Sequence, residues 1–400
     1  MADHSEPVRV LYLSYDGLTD PLGQSQILPY LCGLASQGYS ITILSFEKPE
    51  RFERGRENIY KQCAAAGITW KPLRYHKNPP VLSTLFDVFT LQRACVKLFH
   101  EQPYGIVHCR SYITSLVGLA LKKKYGVRFI FDMRGFWADE RVEGNLWPQS
   151  NFLFRMIYRF FKRKEREMIR NADEVITLTE SAREEISGWQ IPAAVSVIPC
   201  CVDLDLFDAE RISETQRHKI RAELNIAETD FVLLYLGSLG TWYLYDEMVV
   251  FFRLLKKYRP DAKFLFLTPD ADKVQPDADF IVRAVPRNEV PAYIASCNAS
   301  ICFIKPSFSK KGSSATKMAE VLAMNIPVVT NAGWGDVVYL ENNMTGIMII
   351  QKGKEEETVR SLLKPSDQPQ KPFFKDFFAL QRGVSRYASV YEKLKILMNN

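Results

Sequence analysis

Short apolar runs that alternate with longer helical stretches are the feature that most constrains the fold of this chain. Runs of strand length occur at 8–14, 40–46, 68–74, 105–110, 127–132, 173–178 and 195–199. After a polar segment at 208–229, a second series follows at 230–236, 262–267, 279–284, 298–304, 326–330 and 346–350. Apolar strands separated by helices are typical of parallel sheets covered on both faces. The chain is therefore predicted to be α/β, with two doubly wound, Rossmann-like domains.

The predicted domains are 1–205 and 206–375, and a helix is predicted to follow at 376–400. The first helix is expected to begin near Ser25. Residues 351–375 are polar and contain prolines, so they are predicted to form a loop. The segment 377–398 has apolar residues at helical spacing and needs a surface to pack against.

Composition limits the class of protein. The chain has 400 residues, of which 47% are hydrophobic and 24% charged, enough for two buried cores. It has no apolar run of about eighteen residues and no apolar segment at its start, so neither a membrane span nor a secretory signal is expected. The eight cysteines have no metal-site spacing. They are predicted to be core residues of a cytoplasmic protein with no metal site.

The segment 152–170 is predicted to be a basic amphipathic helix. Between residues 155 and 170 it has seven Arg and Lys against two Glu, a balance of 7 − 2 = +5 out of a net +6. Such a helix can bind an anionic membrane surface, or it can be an ordinary surface helix with its apolar side on the core. We interpret it as a peripheral contact with the inner membrane face. Because the positive excess lies in one helix, nucleic-acid binding is not expected.

A candidate phosphate site lies within 303–330. Ser313, Thr316, Lys317 and Glu320 fall on one face of a predicted helix. The preceding loop, 310–314, is expected to supply side-chain caps and to leave backbone N–H groups that attract phosphate. Lys317 adds a positive charge, and Glu320 could accept hydrogen bonds from a ribose diol. The alternative is a capped core helix with a solvent-exposed Lys–Glu pair.

Two loops that follow predicted strands, 15–25 and 133–141, are further candidates. The second is dense in charged and aromatic residues for a connection at the carboxyl end of a strand, where open parallel sheets bind ligands. Its alternative interpretation is a surface network of Arg and Asp around a packed Trp. Neither loop contains the G-x-G-x-x-G pattern of dinucleotide-binding proteins.

Taken in order, the segments VRVLYLSYDG, GQSQILPYL, IVHCRSY, FIFDMRGFWADE, ADEVITLTESAREEI, VIPCCVDLDLF, LLYLGSLG and KMAEVLAMNIPVVTNAGWGD resemble the bacterial retaining nucleotide-sugar glycosyltransferases of family 4. The resemblance implies the GT-B fold, in which two Rossmann-like domains face each other across a cleft and a C-terminal helix crosses back to the first. It also implies a donor site in the second domain and an acceptor site in the first.

The resemblance also suggests site residues. Taken together with the need to stabilise the charge of a leaving diphosphate, the expected catalytic residues are Arg134, Lys317 and Glu320. The implied donor-binding residues are Gly23, Gly237, Ser238, Lys311, Gly312, Ser313, Ser314, Ala315 and Thr316, together with Lys317 and Glu320. The expected acceptor-binding residues are Tyr15, Asp16, Gln24, Asp132, Trp137, Asp139 and Glu140.

The chain departs from the family pattern at four positions. Gly312 stands where the first glutamate of the E-x7-E motif is usual, and Ser238 where an arginine is common. Tyr243 lies near a usual lysine, and Arg134 replaces a usual histidine. Lys317, Lys311 and Arg134 are therefore the candidates to neutralise the donor phosphates.

The expected function is that of a metal-independent retaining hexosyltransferase without a cofactor. It would move a sugar from a UDP- or GDP-linked donor to a glycan or lipid-linked glycan in cell-surface polysaccharide synthesis. One alternative is a non-catalytic partner subunit that binds nucleotide sugars. Another is an NAD(P)-dependent oxidoreductase, against which the missing G-x-G-x-x-G pattern counts.

Overall fold

The computed structural model of the protein describes residues 7–364 and 372–399, which belong to two compact units. The first unit comprises Met1–Pro199 and Leu380–Asn400, and the second comprises Cys200–Ala379. The sequence placed the corresponding divisions after residues 205 and 375. Each unit has its own parallel sheet, as the two series of apolar runs predicted.

The first unit is built on a sheet of seven parallel strands. These are β1 (Arg9–Ser14), β2 (Ser40–Glu47), β3 (Thr69–Arg74), β4 (Ile106–Arg110), β5 (Arg128–Asp132), β6 (Glu174–Thr177) and β7 (Val195–Val197). Their order in the sheet is β3-β2-β1-β4-β5-β6-β7. The order reverses between β1 and β4, and the carboxyl ends of those two strands are where doubly wound sheets bind ligands.

Eight helices connect these strands. They are α1 (Pro21–Gln26), α2 (Leu28–Ala35), α3 (Pro49–Ala65), α4 (Leu82–Glu101), α5 (Ser111–Tyr125), α6 (Trp137–Glu143), α7 (Phe152–Asn171) and α8 (Glu180–Ser187). The first predicted helix starts earlier than expected and is broken at Ile27, whose backbone is not helical. Pro29 explains the break, because it lacks an N–H and its ring clashes with a preceding carbonyl.

Helix α5 packs directly on the sheet at Gly118. A Cβ at this position would lie 2.3 Å from Cys109 Sγ on β4 and 2.7 Å from the Phe129 ring on β5. We expect Gly118→Ala to lower the free energy of unfolding by about 1–3 kcal/mol, because it overpacks the core. Urea unfolding checks this value. Gly55→Ala on α3 is the control, since its Cβ would make only an ordinary 3.5 Å contact, and equal stabilities of the two variants would contradict the account.

The second unit repeats the same strand order with six strands. They are β8 (Val232–Leu236), β9 (Lys263–Leu267), β10 (Phe280–Arg283), β11 (Ala299–Cys302), β12 (Val328–Asn331) and β13 (Ile347–Ile350). The sheet order is β10-β9-β8-β11-β12-β13, so the switch point lies between β8 and β11. All strands of the described residues lie where the sequence predicted them.

The sequence analysis missed two helices of the second unit, α14 and α15. The helices described in this unit are α9 (Glu214–Glu223), α10 (Tyr245–Tyr258), α11 (Val290–Ala295), α12 (Thr316–Ala323), α13 (Val337–Asn343), α14 (Glu355–Leu362) and α15 (Pro372–Phe378). The prediction of a loop over 351–375 is wrong for the residues that form α14 and the start of α15. Val359 and Leu362 bury one side of α14 in the core, and this packing outweighs its polar composition. The part of that predicted loop at 365–371 lies outside the described residues.

Helix α16 (Leu380–Asn399) packs on α2 in the first unit. Val384 fits against Gly33, where a Cβ would lie 2.6 Å from a Val384 methyl group. Tyr387 and Tyr391 are buried on the same side of the helix. The sequence predicted a single helix over 377–398, but Ala379 separates α15 from α16.

Candidate functional site

The candidate donor site of the second unit lies at the carboxyl ends of β8 and β11. The loops that follow these strands are tied together, because Lys305 N–H donates to the Trp242 carbonyl at 2.8 Å and Tyr243 bridges to Ile304. The Asn331 side chain fixes Ile304 from the next strand, accepting from its N–H and donating to its carbonyl, both at 2.8 Å. The second loop leads directly into α12.

Helix α12 begins without a side-chain cap. Its N-cap residue is Ala315, and the predicted caps from the loop 310–314 are absent. Part of that loop is a 3-10 turn, Ser309–Gly312, and Ser314 Oγ accepts a hydrogen bond from Cys200 N–H at 3.2 Å instead of capping the helix. Because the helix starts at Thr316, Ser313 precedes it and the predicted polar stripe is shorter than expected.

Four consecutive backbone N–H groups are available at this helix start. Within the described residues, the N–H groups of Ser314, Ala315, Thr316 and Lys317 have no hydrogen-bond acceptor. These four residues are only partly buried. Unpaired N–H groups at the positive end of a helix dipole form a ready anion site, so this part of the prediction has the geometry it requires.

Lys317 lies between two tyrosines beside the loop after β8. Its Nζ is 3.2 Å from Tyr235 Oη and 3.5 Å from the centroid of the Tyr243 ring. Burial lowers the pKa of Lys317 to about 8. Gly237, with φ of 104°, passes so close that its Cβ would lie 3.2 Å from Nζ. The lysine is therefore held in place, and it carries its charge at neutral pH.

The loop before α12 contains a buried lysine, but it is not the lysine that the sequence analysis selected. Lys310 is buried and its Nζ lies 3.8 Å from the centroid of the Trp242 ring. Lys311, the predicted residue, is exposed, with its Nζ 5.3 Å from the Phe308 ring. The adjacent lysines gave no sign of which would be buried. Of the other predicted donor residues, Gly312 is buried, and Ser238 is exposed with its carbonyl bound by Tyr235 Oη at 2.7 Å.

Glu320 is buried one turn further along α12. Its Oε1 lies 2.8 Å from Nη2 of Arg287, a residue that the sequence analysis did not single out. Burial raises the pKa of Glu320, although the nearby Arg287 opposes the change. The alternative of a solvent-exposed Lys–Glu pair is therefore wrong, because Glu320 is buried and its partner is Arg287, which is far from it in the sequence but close in space.

In the first unit, a buried polar cluster lies at the switch point between β1 and β4. His108 Nδ1 is 2.8 Å from Tyr391 Oη, and its Nε2 is 3.5 Å from Asp132 Oδ2. Tyr387 on α16 donates to the same Asp132 oxygen at 3.0 Å. Arg110 Nε donates to Asp16 at 3.3 Å. We name His108, Arg110, Asp132, Arg134 and Tyr387 the β4–β5 cluster. Its sequence signal was the run IVHCRSY, which gave only the family resemblance.

The electrostatics of the β4–β5 cluster keep Asp132 ionised. Burial alone would raise the pKa of Asp132, but the nearby Arg134 and His108 lower it overall. Burial lowers the pKa of His108, so the imidazole is neutral. Arg110 Nη1 is buried and has no acceptor in the described part of the chain. Arg134 and Ser111 both have a positive φ, of 57° and 69°, and such strain is characteristic of functional sites.

Most of the other residues predicted for the first unit are engaged in local packing. Tyr15 donates to Asp87 on α4 at 2.9 Å, and Gln24 Nε2 donates to the Thr19 carbonyl at 3.2 Å. A Cβ on Gly23 would lie 2.1 Å from the Gly17 carbonyl oxygen. Gly23 is therefore required by the close approach of α1 to this loop, whatever else it contacts.

Trp137, Asp139 and Glu140 lie on α6, next to α7. Trp137 packs edge-to-face on Phe161, with ring centroids 4.9 Å apart. Asp139 accepts hydrogen bonds from Tyr158 at 2.8 Å and Lys162 at 2.7 Å. Glu140 is partly buried in the first turn of α6. Of the predicted acceptor residues, Asp16 and Asp132 thus share the neighbourhood of Arg110, while Trp137 and Asp139 join α6 to α7.

Helix α7 is covered at one end and exposed at the other. Phe161 and Met168 are buried, whereas Phe152, Leu153, Met156 and Phe160 are exposed. Arg155, Arg159 and Arg163 make no ion pair with any described residue, but Lys162 pairs with Asp139 and Glu165. Among the helices of the described residues, none is long and apolar enough to cross a membrane.

The fold, two Rossmann-like α/β units with parallel sheets, is that of GT-B glycosyltransferase structures. Residues 30–206 match the family model described as Glycosyltransferase Family 4. This match covers most of the first unit. No curated protein matches the chain in sequence.

Solved structures match nearly the whole length of the chain. A glycosyltransferase from Rickettsia africae ESF-5 superposes with a TM-score of 0.70 at 14% identity, over 98% of this chain and 99% of the other. HepE from Anabaena in complex with UDP-glucose gives 0.67 at 12% identity, over 96% and 99%. WaaG, a glycosyltransferase involved in lipopolysaccharide biosynthesis, gives 0.59 at 13% identity, over 95% of each chain. At these identities the likeness shows the fold alone.

Proposed function

We propose that the protein is a retaining glycosyltransferase that transfers a hexose from a UDP- or GDP-linked donor without a metal ion. The observation that carries the proposal is the start of α12, where four unpaired N–H groups and Lys317 lie at the switch point of the second unit. A diphosphate bears the charge that such groups attract. The family match and the UDP-glucose complex of HepE support a sugar nucleotide as the ligand.

The chemistry requires stabilisation of a leaving diphosphate. The bond between the anomeric carbon and the β-phosphate oxygen breaks, and the acceptor hydroxyl oxygen bonds to that carbon on the same face. The hydroxyl proton passes to the leaving phosphate oxygen, so that the products are a glycoside and a nucleoside diphosphate. Each preorganised donor aimed at the developing charge is typically worth about 2.7–4 kcal/mol in the transition state. The N–H groups of α12 and the Lys317 ammonium are such donors.

We assign the ribose diol to Glu320. If Glu320 holds the diol, Glu320→Ala should weaken binding of UDP or GDP but leave the 2′,3′-dideoxy nucleotide almost unaffected. A hydrogen bond to a charged group is worth about 1.5–3 kcal/mol, so the native preference of roughly 10- to 100-fold for the ribose form should disappear. Titration calorimetry with both nucleotides measures it. Glu357→Ala, at an exposed position, is the control. If Glu320→Ala still preferred the ribose nucleotide over the dideoxy form, Glu320 would not bind the diol and would only pair with Arg287.

The activity itself is tested by nucleotide release. The protein is mixed with UDP- and GDP-sugars and a crude lipid-linked glycan fraction, and the nucleoside diphosphate formed is measured. We expect one donor to be consumed much faster than the rest, and Lys317→Met to abolish most of that release. Donor binding without any release would instead favour the non-catalytic partner subunit. Absence of both binding and release would contradict the proposal.

The acceptor side of the proposal is a glycan or lipid-linked glycan of cell-surface polysaccharide synthesis, used at the inner membrane face. Support comes from α7, where Arg155, Arg159 and Arg163 are exposed beside apolar side chains. Such a surface suits anionic lipid headgroups. Lys162 is not part of it, because its charge is balanced by Asp139 and Glu165.

A further inference from the structure

A second exposed apolar surface lies on α4, a helix to which the sequence analysis assigned no function. Leu82, Leu85, Phe86 and Phe89 are 63%, 60%, 55% and 56% exposed. They follow the spacing i, i+3, i+4 and i+7, so they share one face of the helix. We name these four residues the α4 apolar face.

The opposite side of the same helix is well packed. Ser83, Asp87 and Leu91 are buried, and Asp87 accepts hydrogen bonds from Tyr15 and His76. The exposure of the α4 apolar face is therefore not a sign of a loosely packed helix. Four large apolar side chains together on the surface of a helix indicate contact with a partner or a membrane.

The α4 apolar face and the exposed end of α7 lie on the same layer of the first unit. Helix α4 packs on α5, and α5 packs on α7. Each of the three helices ends just before a strand of one parallel sheet, so its N-terminal half lies towards the carboxyl edge of that sheet. Neighbouring packed helices are about 8–10 Å apart, which places α4 and α7 about 16–20 Å from each other.

The charge beside both exposed faces is positive. Arg93 and Lys97 lie further along α4 on the same face as Phe89. The Arg93 guanidinium lies 5.4 Å from the centroid of the Phe89 ring. On α7, the exposed apolar residues alternate with Arg155, Arg159 and Arg163. The carboxylates of 82–99 and 152–164 comprise only Asp87, which is buried. Apolar side chains with unbalanced cations match the two layers of an anionic bilayer surface, its acyl region and its headgroups.

We propose that the α4 apolar face and the exposed N-terminal half of α7 together form a two-point contact with an anionic lipid bilayer. The inference rests on the proposed membrane contact of α7 and adds a second, independent point of insertion. Two points about 16–20 Å apart fix the tilt of the first unit on the membrane, which a single helix leaves free to rotate about its axis. The carboxyl edge of the sheet, with the β4–β5 cluster, then takes a constant orientation relative to the lipid surface.

Flotation of the full chain with vesicles tests the proposal. Vesicles of phosphatidylcholine alone are compared with vesicles that also contain phosphatidylglycerol. We expect the double variant Phe86→Ser and Phe89→Ser to lower the partition coefficient on anionic vesicles roughly 10- to 100-fold, because each phenyl ring loses part of its transfer free energy. The double variant Arg159→Gln and Arg163→Gln should also lose binding, in a salt-dependent way.

The controls separate the possible outcomes. Val250→Ser removes an apolar side chain of α10 that is even more exposed, at 68%, and should leave binding unchanged. If the arginine variant loses binding but the phenylalanine variant does not, the two-point contact is wrong and the α7 proposal survives. If neither variant loses binding, both are wrong. If the phenylalanine variant shifts a dimer to a monomer in gel filtration with unchanged flotation, the α4 apolar face binds a second copy and the inference fails.

A second readout locates α4 directly. Phe86→Trp should acquire fluorescence that brominated lipids quench above the level of the native protein, because the side chain enters the acyl region. The fluorescence that Val250→Trp acquires should not be quenched by these lipids. Equal quenching of the two variants would overturn the proposal even if both proteins float with the vesicles.

Discussion

Replacing Lys317 with methionine is expected to weaken binding of a nucleoside diphosphate roughly 10- to 100-fold at about pH 7, because a charge-assisted hydrogen bond is worth about 1.5–3 kcal/mol. Methionine keeps an unbranched side chain but removes the charge, and with it the hydrogen bond to Tyr235 and the cation–π contact with Tyr243. Titration calorimetry measures the affinity. Lys311→Met is the matched control, since Lys311 is exposed on the preceding turn, and it should cost much less.

The pH dependence of binding identifies the lysine as the source of this affinity. The folded-state pKa of Lys317 is about 8, and only the protonated form attracts phosphate. Affinity should therefore be nearly complete at about pH 7 and fall above pH 8, by up to about tenfold per pH unit, until it reaches the affinity of Lys317→Met, while the phosphate stays fully ionised. In Lys317→Met the profile should be flat. A native profile that is flat from about pH 7 to pH 9 would contradict the assignment.

The second large effect is expected on stability. Asp132→Asn should lower the free energy of unfolding by about 3–5 kcal/mol, because it removes the carboxylate that balances buried positive charge in the β4–β5 cluster. Asp132 is fully buried, and Arg134 lies 3.8 Å from its Oδ1. Urea unfolding of the full chain measures the loss. Asp246→Asn, an exposed position on α10, should change stability little.

Acid should reveal the same interaction. The pKa of Asp132 is lowered in the folded protein, so its contribution to stability is present above the unfolded pKa and is lost as pH falls through the folded one. The native protein should therefore lose more stability on acidification below about pH 4 than the Asp132→Asn variant. Identical acid profiles of the two proteins would show that the carboxylate is not stabilised by its neighbours.

The strands were predictable from sequence because a strand buried on both faces must be apolar along its whole length. Strands such as β8 and β11 stand out against polar connections for that reason. Helix ends were harder to predict. The break at Ile27 depends on a proline two residues later, and the missed α14 is recognisable only from Val359 and Leu362 once the core that they contact is known.

The candidate donor site was predictable only in part. The positions of Lys317 and the α12 N–H groups follow from local sequence, since a helix start exposes its own donors. The pairing of Glu320 with Arg287 does not, because the two residues are brought together by tertiary packing. The same holds for Tyr387, which reaches Asp132 from the other end of the chain. The α4 apolar face was missed because periodicity cannot distinguish a covered apolar stripe from an exposed one.

The central claim is that the start of α12 and Lys317 hold the diphosphate of a sugar nucleotide. A crystal structure of the full chain with the nucleotide sugar that gives the strongest release tests this most directly. The account predicts phosphate oxygens within hydrogen-bond distance of the N–H groups of residues 315–317 and of Lys317 Nζ. A diphosphate bound elsewhere, with those N–H groups still without a ligand, would contradict it.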